Sequence, residues 1–133
     1  MVRQVLDVDG YWKVVVLYDL NYNLLYNIVE ELCHAGFTHY FIREVMIVMY
    51  SRQAKAVTCS NTSRNISIVM FNQHQSSKDY INSIVHEAEH VKQAMLYAYR
   101  VEDRGEPPAY TIGYLVSQMY HVFRYLICSC RES

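Results

Sequence analysis

The sequence predicts an α+β fold, a small antiparallel or mixed sheet packed against helices, in a single domain spanning residues 1–133. Three observations carry that expectation. The run Tyr-Trp-Lys-Val-Val-Val-Leu-Tyr at residues 11–18 is β-branched and aromatic almost throughout, which suits a strand. Two shorter β-prone runs, 55–60 and 65–71, flank the polar segment Asn61-Thr62-Ser63-Arg64 and read as an antiparallel hairpin. Elsewhere apolar residues recur at helical spacing. The length agrees, because 133 residues that are 52% hydrophobic can bury one core without disulfides, and no repeat or linker divides them.

The helices follow in order. Leu24, Leu25, Ile28, Val29 and Leu32 lie on one helical face, and Gly36 is placed to end that helix in a left-handed conformation. A second helix is predicted from about Thr38 to Met49. After the hairpin, Ser76 and Asp79 resemble a capping box with Asp in place of Glu. They open a long helix whose apolar face is Ile81, Ile84, Ala88, Val91, Met95 and Ala98. Gly105 and Pro107-Pro108 break it, and the prolines, tolerated in a first turn, start a last helix with Ile112, Leu115, Val116, Met119, Phe123 and Leu126 as its buried stripe. Tyr110 to Ser129 approaches the length of a membrane span, but Gln118, His121 and Arg124 in mid-segment argue for a core-facing helix.

Composition removes several classes of function. Twelve basic and thirteen acidic residues, spread without blocks, provide no concentrated positive field, so no nucleic-acid partner is expected. The four cysteines are few, and the first residues lack a signal-type apolar run, so a cytosolic, reduced protein without a membrane anchor is expected. Cys128 and Cys130 lack a second pair at zinc-finger spacing and read as ordinary thiols near a helix end. His34, His39 and His74 show no ligand spacing and read as surface or turn residues. Glu30-Glu31 and Arg43-Glu44 read as solvated helix faces.

The chemical signal is His86-Glu87-Ala88-Glu89-His90 inside the long helix, an HExxH match. Four residues make a little over one turn, so both imidazoles project from one side and can converge on one metal ion. Glu87 then flanks them. With zinc as the ion, a water acidified by the metal gives its proton to Glu87 and attacks a polarised carbonyl. The apolar stripe alongside places the histidines at a core edge, where a cleft can form.

A catalytic zinc takes three protein ligands, and Glu106, at the start of the next helix, is the first candidate for the third. Were the long helix unbroken to Val101, its end would lie about 16 Å beyond His90. Glu106 therefore requires the helix to stop near Tyr97 or Ala98 and residues 99–105 to fold back. A tight return would instead bring Gln118 and His121 level with the histidine pair, which makes His121 the reserve ligand, ahead of Glu102 and Asp103.

Ser60-Asn61, Ser67-Ile68-Val69-Met70, Asn82-Ser83-Ile84-Val85-His86-Glu87 and Gly105-Glu106-Pro107-Pro108-Ala109-Tyr110 occur in an order that resembles the small zinc metallopeptidases of gut Bacteroidetes, their phages and mobile elements. The similarity spans roughly residues 55–120. It implies a minimal, zincin-like gluzincin, with an HExxH helix followed by a C-terminal helix that supplies a glutamate. By that resemblance His86, His90 and Glu106 are the zinc ligands, Glu87 is the general base, and Tyr110 lines the site or donates a hydrogen bond to the oxyanion. In zincins an edge strand pairs with extended substrate, a role that would fall to one strand of the 55–71 hairpin.

The expected activity is therefore hydrolysis of a peptide or protein by a cytosolic zinc metallopeptidase. The alternative is a non-catalytic protein-binding module with a structural or vestigial zinc site, for which 13 tyrosines could supply an adhesive surface. A hydrolase of non-peptide amides would use the same chemistry. In so short a chain the cleft is expected to be shallow, with Tyr97, Tyr110 and Tyr114 near it.

Overall fold

The chain was analysed as a computed structural model that describes residues 1–127, so the thiols expected at Cys128 and Cys130 lie outside the described residues. Strands β1 (Val2–Val8), β2 (Trp12–Tyr18), β3 (Ala56–Asn61) and β4 (Ile66–Phe71) form one mixed sheet in the order β1-β2-β4-β3. Helices α1 (Leu25–His34), α2 (His39–Tyr50), α3 (Ser77–Tyr99) and α4 (Glu106–Ile127) complete the α+β fold. Two compact units divide at Gln73 and His74. No helix among the described residues is long and apolar enough to cross a membrane.

In the first unit, β1 is an element the periodicity did not announce. It runs antiparallel to β2, Val5 opposite Val15, and only Leu6 and Val8 of its seven residues are buried. Asp9 and Gly10 take positive φ of 54° and 73°, and the Tyr11 amide donates to the Val8 carbonyl at 3.1 Å, which closes a tight turn. β2 then lies parallel to β4, with Val15 opposite Ile68, and β4 pairs with β3 as the expected antiparallel hairpin. A strand held between two others is buried on both faces and reads as a continuous apolar run, as β2 does. On one face Val15, Leu17, Ile68 and Met70 pack with Ile28 and Leu32 of α1 and with Met46 and Met49 of α2. Glu31, expected to be solvated, instead accepts from Arg3 Nε of β1 at 2.5 Å.

On the other face Tyr18 stacks on Phe71 with ring centroids 5.5 Å apart, and its hydroxyl donates to Gln4 Oε1 at 2.6 Å. Burial pushes the Tyr18 phenol far above its ordinary range. In the unfolded chain a tyrosine ionises near pH 10, so the stabilisation from keeping Tyr18 neutral is complete below that pH and is lost as the pH rises toward the folded-state value. Each pH unit above about 10 should cost up to about 1.4 kcal/mol from this one group. Urea unfolding from pH 8 to 11 is expected to show a shallower alkaline decline in Tyr18→Phe than in the parent chain. Parallel declines would refute the assignment.

Gly36 ends α1 as expected, at φ +92°. A Cβ here would also approach Arg64 Nε and Asn61 Nδ2 to 2.8 Å. Those side chains are engaged, since Asn61 Nδ2 donates to the Ala35 carbonyl at 2.9 Å and Arg64 Nη1 to the His34 carbonyl at 3.1 Å. The β3–β4 turn thus caps α1, and a side chain at position 36 would both strain the backbone and displace the cap. Gly36→Ala is expected to cost about 1–3 kcal/mol in denaturant unfolding.

In the second unit, Ser76 Oγ accepts from the Asp79 amide at 3.2 Å and opens α3, as its sequence implied. The helix ends in a Schellman arrangement, with Arg100 N–H on the Tyr97 carbonyl at 3.2 Å and Val101 N–H on the Leu96 carbonyl at 3.0 Å. Tyr80, Ile84, Ala88, Val91 and Met95 are buried, as are Leu115, Met119 and Phe123 of α4. Two expectations are corrected. Ile81 is 39% exposed, and Tyr80 takes the core position, its ring edge-on to Phe123 at 5.2 Å. His74 is no surface residue: it is buried, stacked on Tyr80 at 4.3 Å, and its Nε2 lies 2.7 Å from Ser83 Oγ.

Candidate metal centre

At about 100° of rotation per residue, the buried stripe of α3 from Tyr80 to Met95 centres on one side, and His86 and His90 fall about 160° and about 120° away from it. The structure accordingly turns both imidazoles to solvent, and the His86 side chain is 69% exposed. This corrects the expected position at a core edge. The reason is rotational: the turns that bury Ile84, Ala88 and Val91 carry positions 86 and 90 to the back of the helix.

The pair itself is well formed. His86 Nε2 and His90 Nε2 lie 3.1 Å apart, with the rings edge-on at 82° and centroids 4.6 Å apart. Two zinc–nitrogen bonds of about 2.05 Å at a tetrahedral angle set their nitrogens about 3.3 Å apart, so the imidazoles fit a common ion with little adjustment. Glu87 stands where the two faces meet. It belongs to the buried stripe, its side chain only 6% exposed, yet its Oε2 is 4.0 Å from His86 Nε2.

The other acids in this stretch are committed elsewhere. Glu89 accepts from Lys92 Nζ at 2.8 Å and from Gln93 Nε2 at 3.3 Å. Lys92 is buried and reaches Asp103 at 3.0 Å as well. The hydrogen bond donated to Glu89 raises the lysine above its ordinary range, burial opposes this, and the bond donated to Asp103 adds to it. Glu102 pairs with Arg104 at 2.6 Å.

The Asp103 contact also reports on the return of the chain. α3 stops at Tyr99, one or two residues beyond the end expected near Tyr97 or Ala98, and the 100–105 connection does fold back. It arrives at Lys92, however, which is rotated about 200° from His90. Glu106 begins α4 and is exposed, and His121 is exposed with its ring edge-on to Tyr125 at 5.7 Å. Tyr110 is 73% exposed. The structure thus brings His86, Glu87 and His90 together. Among the described residues, no group of three or more His, Cys, Asp or Glu side chains is gathered in a way that could hold a metal ion.

Sequence reasoning missed His74, the buried imidazole of this unit. Its partners, Ser83 and Tyr80, lie on the first turns of α3, and the pairing depends on how the preceding loop folds against the helix, which periodicity does not report. Comparison of the chain with protein-family models, with curated proteins and with solved structures finds no match.

Proposed function

We propose that the protein is a zinc-dependent metallopeptidase of minimal gluzincin type, in which His86 and His90 hold the ion and Glu87 is the general base. The observation that carries this reading is the convergence of two imidazole nitrogens at 3.1 Å with a carboxylate oxygen 4.0 Å from one of them. Bound zinc supplies a Lewis acid that polarises the scissile carbonyl and acidifies water. Glu87 takes the proton and returns it to the leaving amine. Its burial on the core side of α3 limits its rotamers. For Glu106, with His121 in reserve, to complete the ligand set and for Tyr110 to donate to the oxyanion, the 100–105 connection has to leave Lys92 and approach the imidazole face. Four cysteines in 133 residues are few for a disulfide-stapled secreted domain, and we read the protein as cytoplasmic.

A second reading, a binding module with a structural or vestigial zinc site, is favoured by one observation: the imidazoles face solvent on the side of α3 opposite its buried stripe. Equilibrium dialysis with Zn2+, followed by incubation with casein, separates the readings. The peptidase binds one zinc per chain and cleaves casein, and chelation abolishes cleavage with a small change in melting temperature. The module binds zinc without cleavage and loses much of its stability on chelation. Absence of zinc uptake removes the peptidase and the structural-zinc module and leaves the module whose site is vestigial.

A further inference from the structure

We propose that the first unit carries a separate binding site for a medium-chain aliphatic carboxylate, in a groove between α1 and α2. A cavity of about 470 Å³ opens there, within the size range of small-molecule sites. Its lining is polarised along α2. His39 and Arg43 stand at one end, and Met46, Ile47 and Tyr50 continue the same helix face to the other, about 16 Å away along the axis. Leu25 of α1 and Tyr22, from the short 3₁₀ turn Tyr22–Leu24, form the facing wall.

Two features indicate a ligand site. First, the wall is built in advance. The Tyr22 hydroxyl donates to Asn72 Oδ1 at 2.5 Å, its ring meets Tyr50 edge-on at 5.2 Å, and the Arg52 guanidinium lies 4.8 Å from the ring centre. Asn72 is itself fixed by bonds from Nδ2 to the Met49 and Ala54 carbonyls at 2.9 and 3.1 Å. A preformed groove spares a ligand the cost of ordering it. Leu25 and Ile47 nevertheless remain 46% and 48% exposed, so apolar surface is held open to water.

Second, the charge is complementary to an anion. No acidic side chain lines the cavity. Arg43 makes no hydrogen bond or ion pair among the described residues, and it sits one turn from the His39 imidazole at the same end. An anionic head at Arg43 and an apolar tail running past Ile42 and Met46 toward Tyr50 satisfy both ends. A carboxylate suits the planar fork of a guanidinium, and a saturated chain suits the aliphatic floor.

The test titrates the full-length protein with decanoate, decanol and decylammonium below their micelle thresholds, by calorimetry and by methyl shifts in a two-dimensional NMR spectrum. Decanoate should bind saturably, shift Leu25, Ile42 and Ile47, weaken as salt rises, and lose roughly tenfold in affinity when the chain is shortened by two methylenes. Arg43→Gln, at an exposed and unpaired position, should weaken decanoate roughly three- to tenfold and leave decanol unchanged. Ile47→Asp, also exposed, should abolish binding of both, with melting temperature as the check on folding. Equal binding of all three probes, indifference of decanoate to Arg43→Gln, or shifts confined to other residues would overturn the proposal. So would a groove that takes an acidic amphipathic helical peptide but no decanoate.

Discussion

Glu87→Gln is expected to reduce turnover of casein or a peptide library by about 10²- to 10⁴-fold while the chain still takes up one zinc. The substitution keeps the volume of a residue that is 4% exposed and removes its negative charge and its ability to accept and return a proton. His86→Ala and His90→Ala should behave differently. Each removes one of two nitrogens that stand 3.1 Å apart, so zinc itself should be lost, and activity with it. The contrast between a metal-loaded inactive variant and two metal-free inactive variants is what the mechanism requires. Equal rates for Glu87→Gln and the parent chain would remove Glu87 from the chemistry. Loss of zinc in Glu87→Gln would make the carboxylate a positioning group or ligand.

Phe123→Ala should be the most destabilising of the changes considered, at about 3–5 kcal/mol in denaturant unfolding. Phe123 is fully buried and meets Tyr80, so the truncation opens a void beside the ring on which His74 stacks. Ile81→Ala, one residue along α3 from Tyr80, should stay within about 1 kcal/mol, because Ile81 is already partly in water. A large effect at Ile81, or a small one at Phe123, would mean that α3 is rotated relative to the described packing.

That one-residue difference shows where sequence reasoning reaches its limit. Periodicity placed α3 and α4 and the residues Ile84, Ala88, Val91, Leu115, Met119 and Phe123 on their buried faces. It could not choose between Tyr80 and Ile81, which flank the stripe at similar angular distances on opposite sides, because an aromatic ring with a partner across the helix pair outcompetes an aliphatic residue. β1 escaped for another reason. Arg3, Gln4 and Asp7 dilute an edge strand, which needs only one buried face, although Asp9-Gly10 ahead of an apolar run was a legible hairpin signal.

The candidate site divides along the same line. The i, i+4 spacing of His86 and His90 is a local property of a helix, and the structure contains it as expected. Where those rings lie relative to the rest of the unit depends on which face the fold buries. Where Glu106 arrives depends on six residues of connection, and Lys92 draws that connection to another face through Asp103. Neither is encoded in a window of a few residues.

The parallel pairing of β2 with β4 has a consequence for how the chain emerges from the ribosome. Residues 13–17 lie against residues 66–70, so the two central strands are separated by both helices and β3. The β1–β2 and β3–β4 hairpins can each form from local contacts, but the sheet remains two separate ribbons until β4 docks on β2. Closing a loop of that length is the slow entropic step. Until it occurs, the apolar edge of β2 stands open to other nascent chains, and the charged and polar residues on β1 guard only the opposite edge.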